Sequence, residues 1–346
     1  MAIEKEIKKI LVIRLSALGD AIHTLPAVYA LRKKFPDAQI DWIIEDKAAA
    51  FAENNPLINN IFIINRKNFS LKSFIQLIKK IRKEKYDAAL DFQQLFKSGL
   101  ILGLSGAKRR ITLDKGRELS GLFADEIIKT GRELFDKNYH VIKRNLDLTK
   151  ALGCREDEIK FAIPDFSDRY SAEIKEQLTA LDGKKKTIAI APATTWDNKH
   201  WTIQGWRDAI KEFKDSCNIV ITAQKKDSTL VSKILDGLDG SIINLTGKTS
   251  LADLVYIYKK ADLLISLDSG STHTAWAAGA KAVISLFFAS SALRTAPFGK
   301  NYISLSADIK CAPCMKKKCR LKSEKNKCTG LISSKDVINA AKNVLQ

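Results

Sequence analysis

A chain of 346 residues is longer than one hydrophobic core keeps filling, so two domains are expected. Hydrophobic residues make up 45% and charged residues 28%, the balance of a soluble globular protein, and no apolar run reaches the ~18 residues of a membrane span. The net charge of +19 is large and calls for an anionic partner: nucleic acid, an acidic membrane face or a phosphorylated substrate. The charge is concentrated. Residues 61–110 hold 12 Lys/Arg against 3 Asp/Glu, and residues 301–346 hold 10 against 3. Each stretch also reads as a solvated face. The opening MAIEKEIKKI lacks the long apolar stretch and cleavage site of a secretion signal, so a cytosolic protein is expected.

In chain order, KKILVIR at residues 8–14 predicts a buried strand that enters a loop at 15–19. A helix is predicted over 20–34, with Ile22, Leu25, Val28 and Leu31 at helical spacing. Further strands are predicted at 39–44, 60–64 and 86–91, with helices at 48–54, 70–84 and 94–104. Residues 105–140, with Gly106, Gly116, Gly121 and Gly131, read as loops. Helices at 142–152 and 171–181 lead to a second α/β run. Its strands are predicted at 186–191, 219–222, 241–244, 262–266 and 282–287, and its helices at 204–213, 227–238, 250–260 and 272–278. A last amphipathic helix spans 334–345. Strands alternating with helices predict an α/β chain of two doubly wound domains facing across a cleft. The expected bounds are 1–170 and 171–330, with residues 331–346 as a C-terminal helix returning toward the first domain. Ligands of such sheets bind at the carboxyl ends of the strands.

Three loops carry candidate chemistry. Ser16-Ala17-Leu18-Gly19-Asp20 lies between a strand and a helix, where Gly19 permits close backbone approach and Asp20 reads as a helix cap or as a general base. His23, about one turn on, either tunes Asp20 or packs. Thr194, Thr195 and Lys199 follow the first strand of the second run. Their hydroxyls and ammonium suit phosphate oxygens, while the alternative is a polar loop with Trp201 and Trp206 as packing anchors. Asp268-Ser269-Gly270-Ser271-Thr272-His273 again joins a strand to a helix, as an anion site or a capped turn.

ALGDAIHTLPAV, the D-x-Q-x-x-x-K-S pattern at residues 91–98, TTWDNKHW, DSGSTHTAWAAG and RTAPFG occur in an order that resembles the heptosyltransferase family of bacterial lipopolysaccharide core synthesis, glycosyltransferase family 9. The resemblance runs from residue 10 to about residue 300. It implies a GT-B fold and inverting, metal-independent transfer of heptose from ADP-heptose to a Kdo-containing lipid A acceptor, with no cofactor required. By that resemblance Asp20 is the catalytic base. Thr194, Thr195 and Lys199 contact donor phosphates, and Asp268, Ser269, Gly270 and His273 form the donor loop. Lys97, Arg117 and Arg144, joined by Arg66 and Lys67, meet the phosphates and carboxylates of the acceptor. A phosphorylated lipid acceptor on the anionic inner-membrane surface accounts for the basic first domain and makes the protein peripheral there. The loop 223–227 and the run Ala289-Ser290-Ser291 depart from the family's pattern.

Cys311, Cys314, Cys319 and Cys328 have the spacing C-x2-C-x4-C-x8-C. This suits either a structural zinc or thiols and disulfides in a surface loop. Rival functions are a transferase of the same family with another donor or acceptor, and a non-catalytic protein that binds nucleotide or phosphoglycan. No nucleic-acid-binding module is present, so nucleic acid is not expected as a partner. No G-x-G-x-x-G follows the first strand, which disfavours a dinucleotide-dependent dehydrogenase.

Overall fold

The computed structural model describes residues 6–155, 158–239, 242–321 and 323–346. The chain forms two compact units that divide between Asp165 and Phe166. Ser171, at the start of the second unit, is tied into it: its N–H and hydroxyl donate to Asp253 at 2.7 and 2.8 Å.

The first unit holds strands β1 (Lys9–Ile13), β2 (Gln39–Glu45), β3 (Asn60–Ile64), β4 (Ala88–Asp91), β5 (Arg109–Leu113) and β6 (Glu126–Ile128). Its helices are α1 (Leu18–Lys34), α2 (Leu71–Glu84), α3 (Phe96–Leu104) and α4 (Val141–Thr149). The second unit holds α5 (Ala172–Thr179), β7 (Lys186–Ala191), α6 (Ile203–Phe213), β8 (Cys217–Ile221), α7 (Ser228–Leu235), β9 (Ile242–Asn244) and α8 (Leu251–Lys260). It continues with β10 (Leu263–Leu267), α9 (Gly270–Ala277), β11 (Val283–Phe287), α10 (Ala292–Thr295), β12 (Tyr302–Ser306) and α11 (Ser334–Leu345).

Both sheets are parallel. The orders are β3-β2-β1-β4-β5-β6 and β12-β11-β10-β7-β8-β9. Numbered within its own unit, the second order is the first one reversed, so both units carry the Rossmann order 3-2-1-4-5-6. The winding direction reverses between β1 and β4 in one unit and between β7 and β10 in the other. In the central strands, covered on both faces, Ile10, Leu11, Val12 and Ile13 are wholly buried, as are Leu263 and Leu267. Helices α2 and α3 cover one face of the first sheet through Ile78, Ile81, Ile101 and Leu102.

Three strands lie where the sequence predicts none. In β5, Arg109 and Arg110 hide the strand pattern, because two charges open a short segment. Glu126 and Asp125, in and beside the edge strand β6, accept from these guanidiniums and make charged residues tolerable there. The half-buried edge strand β12 is likewise absent from the prediction. The predicted helix at 48–54 is a 3-10 turn over Asp46–Phe51. Of the predicted strand at 241–244, residue 241 lies outside the described residues, as do residues 1–5 of the opening segment. The last helix buries Val337 and Ala341 in the core of the second unit. Among the described residues, no helix is long and apolar enough to cross a membrane.

Candidate active site

At the first reversal point, Arg14 follows the end of β1 and the chain turns through Leu15 and Ser16 into α1. The loop after β4 holds that turn. Gln93 Oε1 accepts the N–H groups of Leu15 and Ser16 at 3.1 and 3.2 Å. Asp91 fixes Gln93 in turn. One carboxylate oxygen accepts from the N–H groups of Gln93 and Gln94, and the other from the Ser98 hydroxyl. Asp91, Gln93 and Ser98 of the D-x-Q-x-x-x-K-S pattern thus act as a brace under the α1 entry.

Burial pushes the Asp91 carboxyl up to about 6, against the opposing hydrogen bonds from Gln94, Ser98 and Gln93 and the charge of Arg14. A carboxyl raised in the folded state gives stability that is full below its unfolded value and is lost as pH rises through the folded one. Unfolding free energy should therefore fall by about 2 kcal/mol between pH 4 and pH 6 on account of this group. Urea midpoints across that range should show the decline in the native protein and its loss in Asp91→Asn.

Asp20 lies in the first turn of α1, three residues after the N-cap Ala17. One of its oxygens accepts the Ala17 N–H at 3.2 Å; the other stands 3.8 Å from Arg14 Nη2, and 44% of the side chain is exposed. Asp20 therefore serves the helix start and still presents a carboxylate to solvent. Arg14, not singled out by the sequence, is 94% buried, and its Nε has no hydrogen-bond partner among the described residues. His23 is buried at the α1–α4 contact, edge-on to His140 with ring centroids 6.3 Å apart.

The other βα loops of this edge carry the basic residues. Glu45, ending β2 and almost fully buried, pairs with Lys97 at the start of α3 and with Arg66 after β3, the latter at 3.7 Å. Arg117, after β5, is exposed, with its guanidinium 5.5 Å from the Phe135 ring. Lys67 is exposed as well. Arg144 departs from its expected place among the exposed basic residues. It is buried and donates to Gln94 Oε1 (2.7 Å), to the carbonyls of Asp114 and Arg132 (2.9 Å each) and to Thr130 Oγ1. It is a strut joining the loops after β4, β5 and β6, with Nη1 and Nη2 both engaged by the protein itself.

At the second reversal point, the loops after β7 and β10 meet. Lys199 Nζ donates to Asp268 at 2.5 Å, Thr295 Oγ1 donates to its other oxygen at 3.2 Å, and His273 Nε2 lies 3.4 Å from it. Thr194 Oγ1 reaches the Asp268 carbonyl at 3.4 Å, and its N–H donates to His200 Nε2. Lys199 also sits 4.3 Å from the Trp196 ring centroid. Burial alone would raise Asp268. The His273 hydrogen bond and the Lys199 charge outweigh it and hold the carboxyl far below the usual carboxylate range.

Thr195 is exposed on the same loop. Ser269 caps α9 and Gly270 begins it. The buried hydroxyls of Ser269 and Ser290 have no hydrogen-bond partner among the described residues. Trp201 and Trp206 are buried packing anchors, and the Trp201 indole N–H donates to the Ile332 carbonyl at 2.8 Å.

The cysteine loop leans on this same edge. The Met315 N–H donates to the Ala289 carbonyl at 2.7 Å, and Asn198 Nδ2 to the Lys316 carbonyl at 2.8 Å. All six cysteines are free thiols. Among the described residues, no group of three or more His, Cys, Asp or Glu side chains is arranged to hold a metal ion. Burial pushes Cys154 up to about 11, and burial followed by the neighbouring thiols of Cys311, Cys314 and Cys319 pushes Cys328 up. Backbone N–H groups of Asn326 and Leu321 lower Cys319. Iodoacetamide at pH 7.5 should therefore label Cys319 and the exposed Cys311 well before Cys154, as peptide mapping over time would read.

A sequence model described as glycosyltransferase family 9 (heptosyltransferase) matches residues 74–325, nearly three quarters of the chain. The chain belongs to this family. It is 28% identical over 297 residues to the lipopolysaccharide core heptosyltransferase OpsX of Haemophilus influenzae, covering 84% of this chain and 82% of that one. In fold it is similar to a family 9 glycosyltransferase from Veillonella parvula, with a TM-score of 0.86, 21% identity and 100% and 99% of the two chains covered. It is also similar to the E. coli heptosyltransferase WaaC solved with ADP-2-deoxy-2-fluoro heptose, with a TM-score of 0.70, 21% identity and 97% and 99% covered. The family 9 enzyme described above is thus a glycosyltransferase of two Rossmann-like domains, the GT-B fold.

Proposed function

We propose that the enzyme transfers heptose from ADP-heptose, with inversion, to a Kdo-lipid A type acceptor in lipopolysaccharide core synthesis, without a cofactor and at the anionic inner face of the membrane. The observation that carries this reading is the Lys199–Asp268–His273–Thr295 cluster at the second reversal point. It offers a fixed cation and hydroxyl donors where a nucleoside diphosphate would sit. Thr194, Thr195, Ser269 and Gly270 share that edge and are assigned to the donor. Asp268, held ionised, orients Lys199 and accepts from heptose hydroxyls.

In the reaction, an acceptor hydroxyl oxygen bonds to the anomeric carbon while the bond from that carbon to the diphosphate oxygen breaks. The hydroxyl proton passes to Asp20, and ADP leaves with the electron pair, its charge met by Lys199 and helix N-termini. Lys97 and Arg117, with Arg66 and Lys67, would meet the acceptor's anionic groups, and Arg144 would hold their loops in place.

The direct check is ADP release from purified enzyme given ADP-heptose, with Kdo-lipid A present or omitted, alongside UDP- and GDP-sugars as alternative donors. Release that needs both ADP-heptose and the acceptor supports the reading. Tight ADP binding without turnover on any core acceptor would instead point to a binding protein.

A further inference from the structure

Parallel strands put every βα loop of the first unit on the carboxyl edge of its sheet, the edge that carries Asp20. That edge is apolar where an ordinary surface would be polar. Leu71, opening α2, is 73% exposed. Leu119 and Leu122, after β5, are 71% and 77% exposed, and Phe69, Ile75 and Phe96 are exposed as well. They belong to one layer. Helices α2 and α3 share a core on the same face of the sheet, and the 3-10 turn Ser120–Phe123 packs tightly on α3, with Phe96 and Phe123 rings 5.5 Å apart. From β3 to β5 there are four strand spacings, so the apolar tips span about 19 Å.

Cations surround these tips. Lys67 and Lys72 flank the α2 start, Lys115 and Arg117 follow β5, and Lys79 and Lys80 extend along the α2 flank; all are exposed. Glu118 is an exposed acid beside them, and the exposed Glu133 stands 4.0 Å from Lys115.

Isolated leucine and phenylalanine tips among lysines match the interface of an anionic bilayer, which takes apolar side chains between headgroups and holds cations at the phosphates. A nucleic acid would use the charges and leave the leucines idle. A second copy of the chain would bring this positive rim against itself.

We infer that the α2–α3 side of the first unit's carboxyl edge, tipped by Phe69, Leu71, Phe96, Leu119 and Leu122, docks on an anionic lipid bilayer. The inference rests on the proposed use of a lipid-linked acceptor. It gives that acceptor a route: the headgroup sugar stands at the edge that bears Asp20 while the acyl chains stay in the membrane.

The test is co-sedimentation of full-length protein with phosphatidylcholine vesicles, with and without phosphatidylglycerol, for the native protein and the Leu71→Ser/Leu122→Ser variant. The native protein should sediment with the anionic vesicles only. The variant should partition at least about tenfold less, the scale of losing one buried leucine. Its circular dichroism spectrum and urea midpoint should equal those of the native protein, which shows it folded. Undiminished vesicle binding by the variant overturns the inference, as does a native protein indifferent to phosphatidylglycerol. A native dimer that the substitutions dissociate also overturns it and makes the patch a self-association face. Vesicle binding is read without any sugar donor, so failure of heptose transfer would sink the reaction proposed above while leaving this result to stand alone.

Discussion

Replacing Asp20 with asparagine should lower turnover by ~10²-fold or more, with the fold and donor affinity kept, because a general base contributes on that scale. Asparagine is the informative substitution. Its Oδ1 still accepts the Ala17 N–H that Asp20 accepts now, so the α1 start keeps its bond. What it loses is the capacity to take a proton. Alanine removes both roles and should add a stability loss of about 1 kcal/mol, typical of a lost helix-end contact. Steady-state rates together with urea midpoints for the two variants separate the effects. An Asp20→Asn enzyme that turns over at the native rate would reduce Asp20 to a helix-end residue.

Asp268→Ala should cost about 3–5 kcal/mol of stability, the usual consequence of removing one partner from a buried ion pair. Lys199 would then lose its acceptor at 2.5 Å, Thr295 its acceptor at 3.2 Å, and His273 its neighbouring carboxylate. Donor binding should fall with it, because the orientation of Lys199 depends on this carboxylate. The pH dependence has a definite sign. A carboxyl held below its unfolded value gives stability that is present above that unfolded value, near 4, and lost as pH falls toward the folded one. Acid should therefore weaken the native protein below about pH 4, and Asp268→Asn should show a shallower acid limb. Urea unfolding at pH 7 and at pH 3 measures both. An Asp268→Ala protein as stable as the native one would mean that the cluster is not coupled as its geometry indicates.

Much of the fold was legible because buried parallel strands leave an unmistakable trace. Runs such as KILVI and LLISL are apolar apart from Lys9 and Ser266, and helices with periodic apolar positions separate them. Edge strands leave no such trace. Arg109 and Arg110 stand in β5 only because Glu126 and Asp125 come to them from some 15 residues on, and no local pattern announces that pairing. The last helix was visible as a helix, but its amphipathic face does not say which core will receive it. The bonds that seat it, such as that between Trp201 and the Ile332 carbonyl, are 131 residues apart in sequence.

The site divides in the same way. Loops between strand and helix, with Asp20, Lys199, Asp268 and His273, were readable because their residue types and positions suit phosphate and proton chemistry. Arg14 and Glu45 were not, and Gln93, Ser290 and Thr295 stood in quoted segments without a role, because each acts through a partner that only the folded sheets supply. Arg144 illustrates the opposite failure. A basic residue in a basic domain looks like a surface cation, but the two carbonyls, the amide and the hydroxyl that surround it in the fold make it a strut.

The measurement that bears most directly on the central claim is the mass of Kdo-lipid A after incubation with the enzyme and ADP-heptose, followed by the anomeric configuration of the new bond. The account predicts an acceptor heavier by one heptosyl unit, joined with inversion relative to the donor, and ADP in equal amount. An unchanged acceptor with ADP-heptose intact, or a product that retains the donor's configuration, would contradict it.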